Sequence, residues 1–117
     1  MYQPRLNPQP FGPVNVSTPG TPVALTTKLV ALGLALVGDP VPVNKVSVIA
    51  FPNNSGTVYL GLSTMSKATM QGVLAALLPG GSWQINNEVA VNTYRADMLY
   101  VDADVAGDGV YGGLDQV

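Results

Sequence analysis

Asp102, Asp104 and Asp108, with Gly107 and Gly109 beside them, form the densest group of chemistry-bearing side chains in the chain. Spaced carboxylates around a glycine can wrap a hard cation such as calcium. The helix–loop–helix calcium pattern would need a further oxygen ligand at 106 and a bidentate glutamate at 113, where the chain has Ala106 and Gly113. The stretch therefore reads as a turn held by aspartate-to-backbone hydrogen bonds. The remaining carboxylates, Asp39, Glu88, Asp97 and Asp115, are scattered. Glycoside hydrolysis needs two carboxyl groups facing each other across a cleft, and no spacing here marks such a pair.

The chain contains neither histidine nor cysteine. Thiolate nucleophiles, disulfides and Cys-type zinc sites are thereby excluded, and with histidine go the commonest general base and transition-metal ligand. No catalytic residue, cofactor or metal is expected, and the protein is not expected to be an enzyme. Charged residues make up 10% of the sequence and the net charge is -2, against about 25% charged in an average soluble domain. Arg5, Lys28, Lys45, Lys67 and Arg95 are too dispersed to build the basic face that nucleic acid requires. A neutral, partly apolar surface suits a protein packed against something else. Tyr59, Trp83, Tyr94, Tyr100 and Tyr111 could stack on sugar rings or pack across strands.

The elements that position these groups read mainly as strands. Lys45 to Leu62 alternates apolar and polar residues on both sides of Pro52-Asn53-Asn54-Ser55-Gly56, which predicts a β-hairpin. Gly72 to Leu78 and Ser82 to Ile85 predict two strands about a Pro79-Gly80-Gly81 turn. Met98 to Asp102 and Val110 to Leu114 predict another hairpin, while Ser63 to Gln71 is expected to be a loop. The apolar run from Leu29 to Val37 is well short of the roughly 18 to 20 residues that span a bilayer. It fits a buried strand or a short buried helix, with Gly33 at its centre favouring a strand bulged there, and no membrane partner is implied.

Met1 to Pro22 holds prolines at 4, 8, 10, 13, 19 and 22. Proline lacks the donor that helices and central strands need, so residues 1–22 are expected to be an extended arm and residues 23–117 a separate β-sandwich. Tyr2, Arg5, Leu6, Phe11, Val14 and Val16 are the arm's candidate partner-binding side chains. The expected fold is all-β, an antiparallel β-sandwich of jelly-roll-like form, with at most a turn or two of helix.

Four segments occur in order: Pro19-Gly-Thr-Pro22-Val-Ala-Leu-Thr26, Lys45-Val-Ser-Val-Ile-Ala-Phe-Pro-Asn-Asn-Ser-Gly56-Thr-Val-Tyr59-Leu-Gly61, Pro79-Gly80-Gly81-Ser82, and Leu99-Tyr-Val-Asp102-Ala-Asp-Val-Ala-Gly107-Asp-Gly-Val110. Together they resemble small virion proteins of tailed bacteriophages, of the capsid decoration (cement) or head-fibre kind. The resemblance spans roughly residues 19 to 112 and rests on strand and turn residues. It implies a structural protein on the outer surface of the capsid, with the major capsid protein as partner and self-association, even as a trimer, conceivable. The alternative it implies is a head- or tail-fibre component that binds host-surface glycan.

Overall fold

A computed structural model of the chain describes residues 9–33, 38, 40–86 and 94–116. Ten strands appear among them: β1 Gln9–Pro10, β2 Val14–Asn15, β3 Val23–Ala24, β4 Pro42–Ala50, β5 Val58–Ser66, β6 Gln71–Leu77, β7 Ser82–Asn86, β8 Tyr94–Arg95, β9 Tyr100–Ala103 and β10 Gly109–Gln116. One short helix, α1, covers Thr26–Ala31, and a single 3-10 turn covers Ala96–Met98.

The strands form two antiparallel sheets. In the first, β1 and β2 both pair with β10, β10 pairs with β4, and β4 pairs with β7 and β8. The second runs β3-β9-β5-β6. Both β7 and β8 continue along the same edge of β4, and β1 and β2 likewise share one edge of β10, so each of these pairs acts as one interrupted strand. Counted that way, the first strand pairs with the last, the second with the second-last, and so on inward to β5 and β6. This is the pairing of a long antiparallel ribbon folded across itself, a jelly roll. The expected sandwich is therefore present.

The core lies between the sheets, where the two-residue period delivers one apolar face from each strand. Val46, Val48 and Ala50 of β4 meet Val58 and Leu60 of β5 and Val110 and Leu114 of β10, all at 1% exposure or less. Leu25 and Leu29, four residues apart on one face of α1 and its start, cap the same core.

Several local expectations are corrected. The apolar segment after Lys28 is helical through Ala31, and Gly33, with φ of 76°, follows Leu32 as the left-handed residue that ends it. Gly33 therefore marks a helix stop and no bulged strand; residues 34–37 lie outside the described residues. The Ser63 to Gln71 loop is shorter than expected, because β5 continues to Ser66. None of the three expected hairpins is a hairpin. β4 and β5, β6 and β7, and β9 and β10 each lie in different sheets, so their connections are corners of the sandwich. The hairpin within the second sheet is β5–β6.

The boundary expected at residue 23 also moves. Phe11, Val14 and Val16 are fully or almost fully buried, and the Phe11 N–H donates to the Gly112 carbonyl at 3.1 Å. Residues 9–16 are the first strand of the sandwich, so these three side chains are not available to a partner. Burying three large apolar groups against β10 outweighs the loss of donors at Pro10 and Pro13, which lie on a sheet edge where proline is tolerated. Tyr2, Arg5 and Leu6 lie outside the described residues.

Two measurements follow. Phe11→Ala should cost about 3–5 kcal/mol in urea-induced unfolding, the range for a buried phenylalanine. That is a large fraction of the whole stability of a domain of this size. A chain starting at Thr21 should fail to fold by circular dichroism, while one starting at Gln9 should retain the β spectrum.

Candidate functional site

The aspartate cluster is a structural joint. Asp108, largely buried, lies just before β10, and its two carboxylate oxygens accept the Ser55 N–H at 3.0 Å each and the Gly56 N–H at 2.8 Å. Asn54 locks the same corner from the other side, donating to the Gly109 carbonyl at 2.9 Å and accepting the Gly109 N–H at 3.1 Å. Asp102, at 2% exposure, accepts the N–H groups of Gly20 and Ala103 at 2.9 and 2.8 Å. Asp104 is exposed and pairs with Lys67 at 3.3 Å, while Tyr59 donates its hydroxyl to the same carboxylate at 3.1 Å. Partial withdrawal from water, followed by the hydrogen bond to Asp104 and its charge, pushes the Tyr59 phenol up. Asp102 and Asp108 thus accept hydrogen bonds from backbone amides and tie distant parts of the chain together. No cluster of three or more metal-ligating side chains occurs among the described residues.

A second joint closes the opposite end. Arg95 donates through Nε to Asp97 Oδ1 at 3.1 Å and through its terminal nitrogen to Oδ2, and the Val41 N–H donates to Oδ1 at 2.9 Å. Partial burial would raise the Asp97 pKa, but the Arg95 hydrogen bond and the Val41 amide outweigh it and hold the carboxyl below its ordinary value.

The aromatic residues separate by environment. Trp83 packs half-buried against the core, and Tyr59 is engaged with Asp104. Tyr111 stands on the outer face of the first sheet, with its ring stacked on Phe51 at 5.5 Å between centroids and 21° between planes. Beside it runs a shallow trough of about 510 Å3, bordered by Ile49, Ser47, Lys45 and Asp115. Its floor is Gly112 and Gly113, where no side chain projects.

A second surface feature has no counterpart in the sequence pattern. A more apolar groove of about 330 Å3 opens between the sheets, with Val46 and Leu99 at its base and Trp83, Leu62, Leu74 and Met98 as walls. Leu62 continues the alternation of Val58 and Leu60, which predicts burial, yet it is exposed. Leu62 lies where the pairing is irregular, five steps of β5 from Gly61 to Ser66 passing only two of β6 from Val73 to Gln71, a bulge that alternation along the sequence does not reveal.

Comparison with protein-family models, curated proteins and solved structures found nothing that matches this chain. No helix among the described residues is long and apolar enough to cross a membrane.

Asp108→Ala should destabilise the fold by about 2–4 kcal/mol in urea titration, because it leaves the Ser55 and Gly56 amides without an acceptor. Addition or chelation of calcium should leave the melting temperature unchanged. For Asp97 the sign is set by a lowered native pKa. Its contribution is complete above the unfolded value of about 4 and is lost as pH falls through the lower native value. Asp97→Asn should therefore destabilise the protein at pH 7 and make its stability less dependent on pH below about 4.

Proposed function

We propose that this chain is a non-enzymatic structural protein of a bacteriophage virion, bound to the outer surface of the capsid, where it reinforces contacts between shell subunits. The observation that carries the reading is the exposure of large apolar side chains on a charge-poor domain. Leu32, Leu74 and Leu78 are 58%, 53% and 69% exposed, while charged residues are only 10% of the chain. Such a surface is costly in water and favourable against another protein. Apolar burial contributes about 25 cal/mol per Å2, and association consumes part of that. A small domain is therefore a modest clamp singly and an effective one in many copies. The resemblance to decoration proteins described above points the same way, with the major capsid protein as partner.

With Phe11, Val14 and Val16 in the core, the attachment role expected of the arm falls to residues 1–8. They carry Tyr2, Arg5 and Leu6 and lead into β1 at the edge of the first sheet. The test uses purified shells that lack the protein. The full chain should bind in copy number comparable to the major capsid protein, and the chain starting at Gln9 should bind at least tenfold more weakly. Failure of the full chain to bind shells would remove the capsid reading. Equal binding by the shortened chain would remove only the role of residues 1–8.

The Phe51–Tyr111 pair beside its glycine-floored trough favours a second reading, a fibre component that binds host glycan. An exposed aromatic face beside hydroxyl, ammonium and carboxylate groups can stack on a sugar ring and hydrogen-bond its hydroxyls. This reading requires binding of host polysaccharide by the isolated protein and its loss in Tyr111→Ala, with only a few copies in each particle.

A further inference from the structure

Among the described residues one side-chain oxygen is buried without a hydrogen-bond partner, Oδ1 of Asp115. A carboxylate oxygen withdrawn from water and left unpaired is costly, so the group calls for a donor. Lys45 stands opposite Asp115 in the β4–β10 register. The two ion pairs among the described residues are nevertheless Lys67–Asp104 and Arg95–Asp97, and neither includes it.

Asp115 also borders the trough on the outer face of the first sheet. Side chains on one face recur at every second residue, so Tyr111, Gly113 and Asp115 of β10 lie in line beside Ile49, Ser47 and Lys45 of β4. The line runs from the Phe51–Tyr111 stack, over a bare glycine, to the unpaired carboxylate. Four residues at about 3.4 Å each make it roughly 14 Å long.

The chain brings a fitting occupant to the rim. Gln9 pairs with Leu114 and Pro10 with Gly113, and Pro10 borders the trough, so residues 1–8 join the fold next to Asp115. Their one charged side chain is Arg5. Asn7-Pro8 is a turn-initiating pair. The six residues before it reach roughly 19 Å at about 3.1 Å each in the extended form that proline favours, which covers the trough.

We propose that residues 1–6 fold back at Asn7-Pro8 and dock along this trough of their own chain, with the Arg5 guanidinium on the free Asp115 oxygen and Pro4 and Tyr2 toward the Phe51–Tyr111 pair. A guanidinium supplies the donors a carboxylate accepts, and extended proline-rich segments pack well in aromatic-lined grooves. The occupant is the chain's own arm because a tether of a few residues holds it at millimolar effective concentration. A free peptide or a second copy competes at its much lower bulk concentration. The arm reaches a shell only after it leaves the trough, so this contact competes with the attachment proposed above and does not depend on it.

The chain has no cysteine, so an introduced pair reports the docked geometry directly. Gln3→Cys combined with Ser47→Cys, the latter opposite Gly113 on the trough, should close an intramolecular disulfide under mild oxidation, at a rate independent of protein concentration. Arg5→Glu should slow closure roughly tenfold, a factor within the worth of a hydrogen bond to a charged group. Adding Asp115→Arg to it should restore the rate. Where the Asp115→Arg chain loses its β spectrum, the Arg5→Glu comparison decides. The proposal is overturned if the pair does not close, or if closure is indifferent to Arg5→Glu, the behaviour of a tail with no fixed place. It is overturned equally if a folded chain with both charge changes closes no faster than Arg5→Glu alone, or if the cross-link forms between copies and grows with concentration. The experiment contains no shell, so its failure leaves the capsid reading standing, and failure to bind shells leaves the docked arm standing.

Discussion

The structure depends on the pairing of its first strand with its last. β10 is a central strand: residues 9–15 occupy one of its edges and β4 the other. The contact is close because residue 112 is glycine. A Cβ there would sit 2.0 Å from the Ser47 carbonyl oxygen and 3.0 Å from the Phe11 ring, so Phe11 fills core space that a side chain at 112 would contest. Val16 and Gly107 extend the seam, the Val16 N–H donating to the Asp108 carbonyl at 2.9 Å and the Gly107 N–H to the Val16 carbonyl at 2.8 Å. Without the first strand, β10 would be an open edge and the core would lose three of its large side chains.

The corners follow from the same closure. A ribbon folded across itself must turn from one sheet to the other repeatedly, and each turn leaves backbone amides that need acceptors. Asp108 supplies them for the β4–β5 corner from the far end of the sequence, and Asp102 does so for Gly20. The acidic cluster that first suggests chemistry is thereby a set of long-range ties.

Much of the strand content was legible because a half-buried strand imposes a two-residue period, which Val46, Val48 and Ala50 and then Val58 and Leu60 display. That period reports which face is buried and says nothing about the neighbouring strand. Hairpins and sandwich corners share it, and their turn residues are alike, so the period points to the fold class but cannot tell β4–β5, β6–β7 and β9–β10 hairpins from the corners that the structure has there. The first strand was obscured by proline density. Its signal was the two-residue spacing of Val14 and Val16 together with Phe11, and the prolines were compatible with it because they lie on an edge. Gly33 has the same identity in a bulge and at a helix stop, and only the burial of Leu25 and Leu29 separates the two. For the candidate surfaces, Tyr111 was visible as an aromatic residue but not as an exposed one, and the displacement of Leu62 by a bulge was not visible.

The central claim is that residues 9–16 belong to the cooperative sandwich and are not a detachable arm. Native-state hydrogen exchange tests it most directly. The Phe11 and Val16 amides, bonded to Gly112 and Asp108, should exchange only through global unfolding, with the same free energy as the core amides of β4. Exchange of these two amides at rates near those of an unfolded peptide, while β4 stays protected, would contradict it.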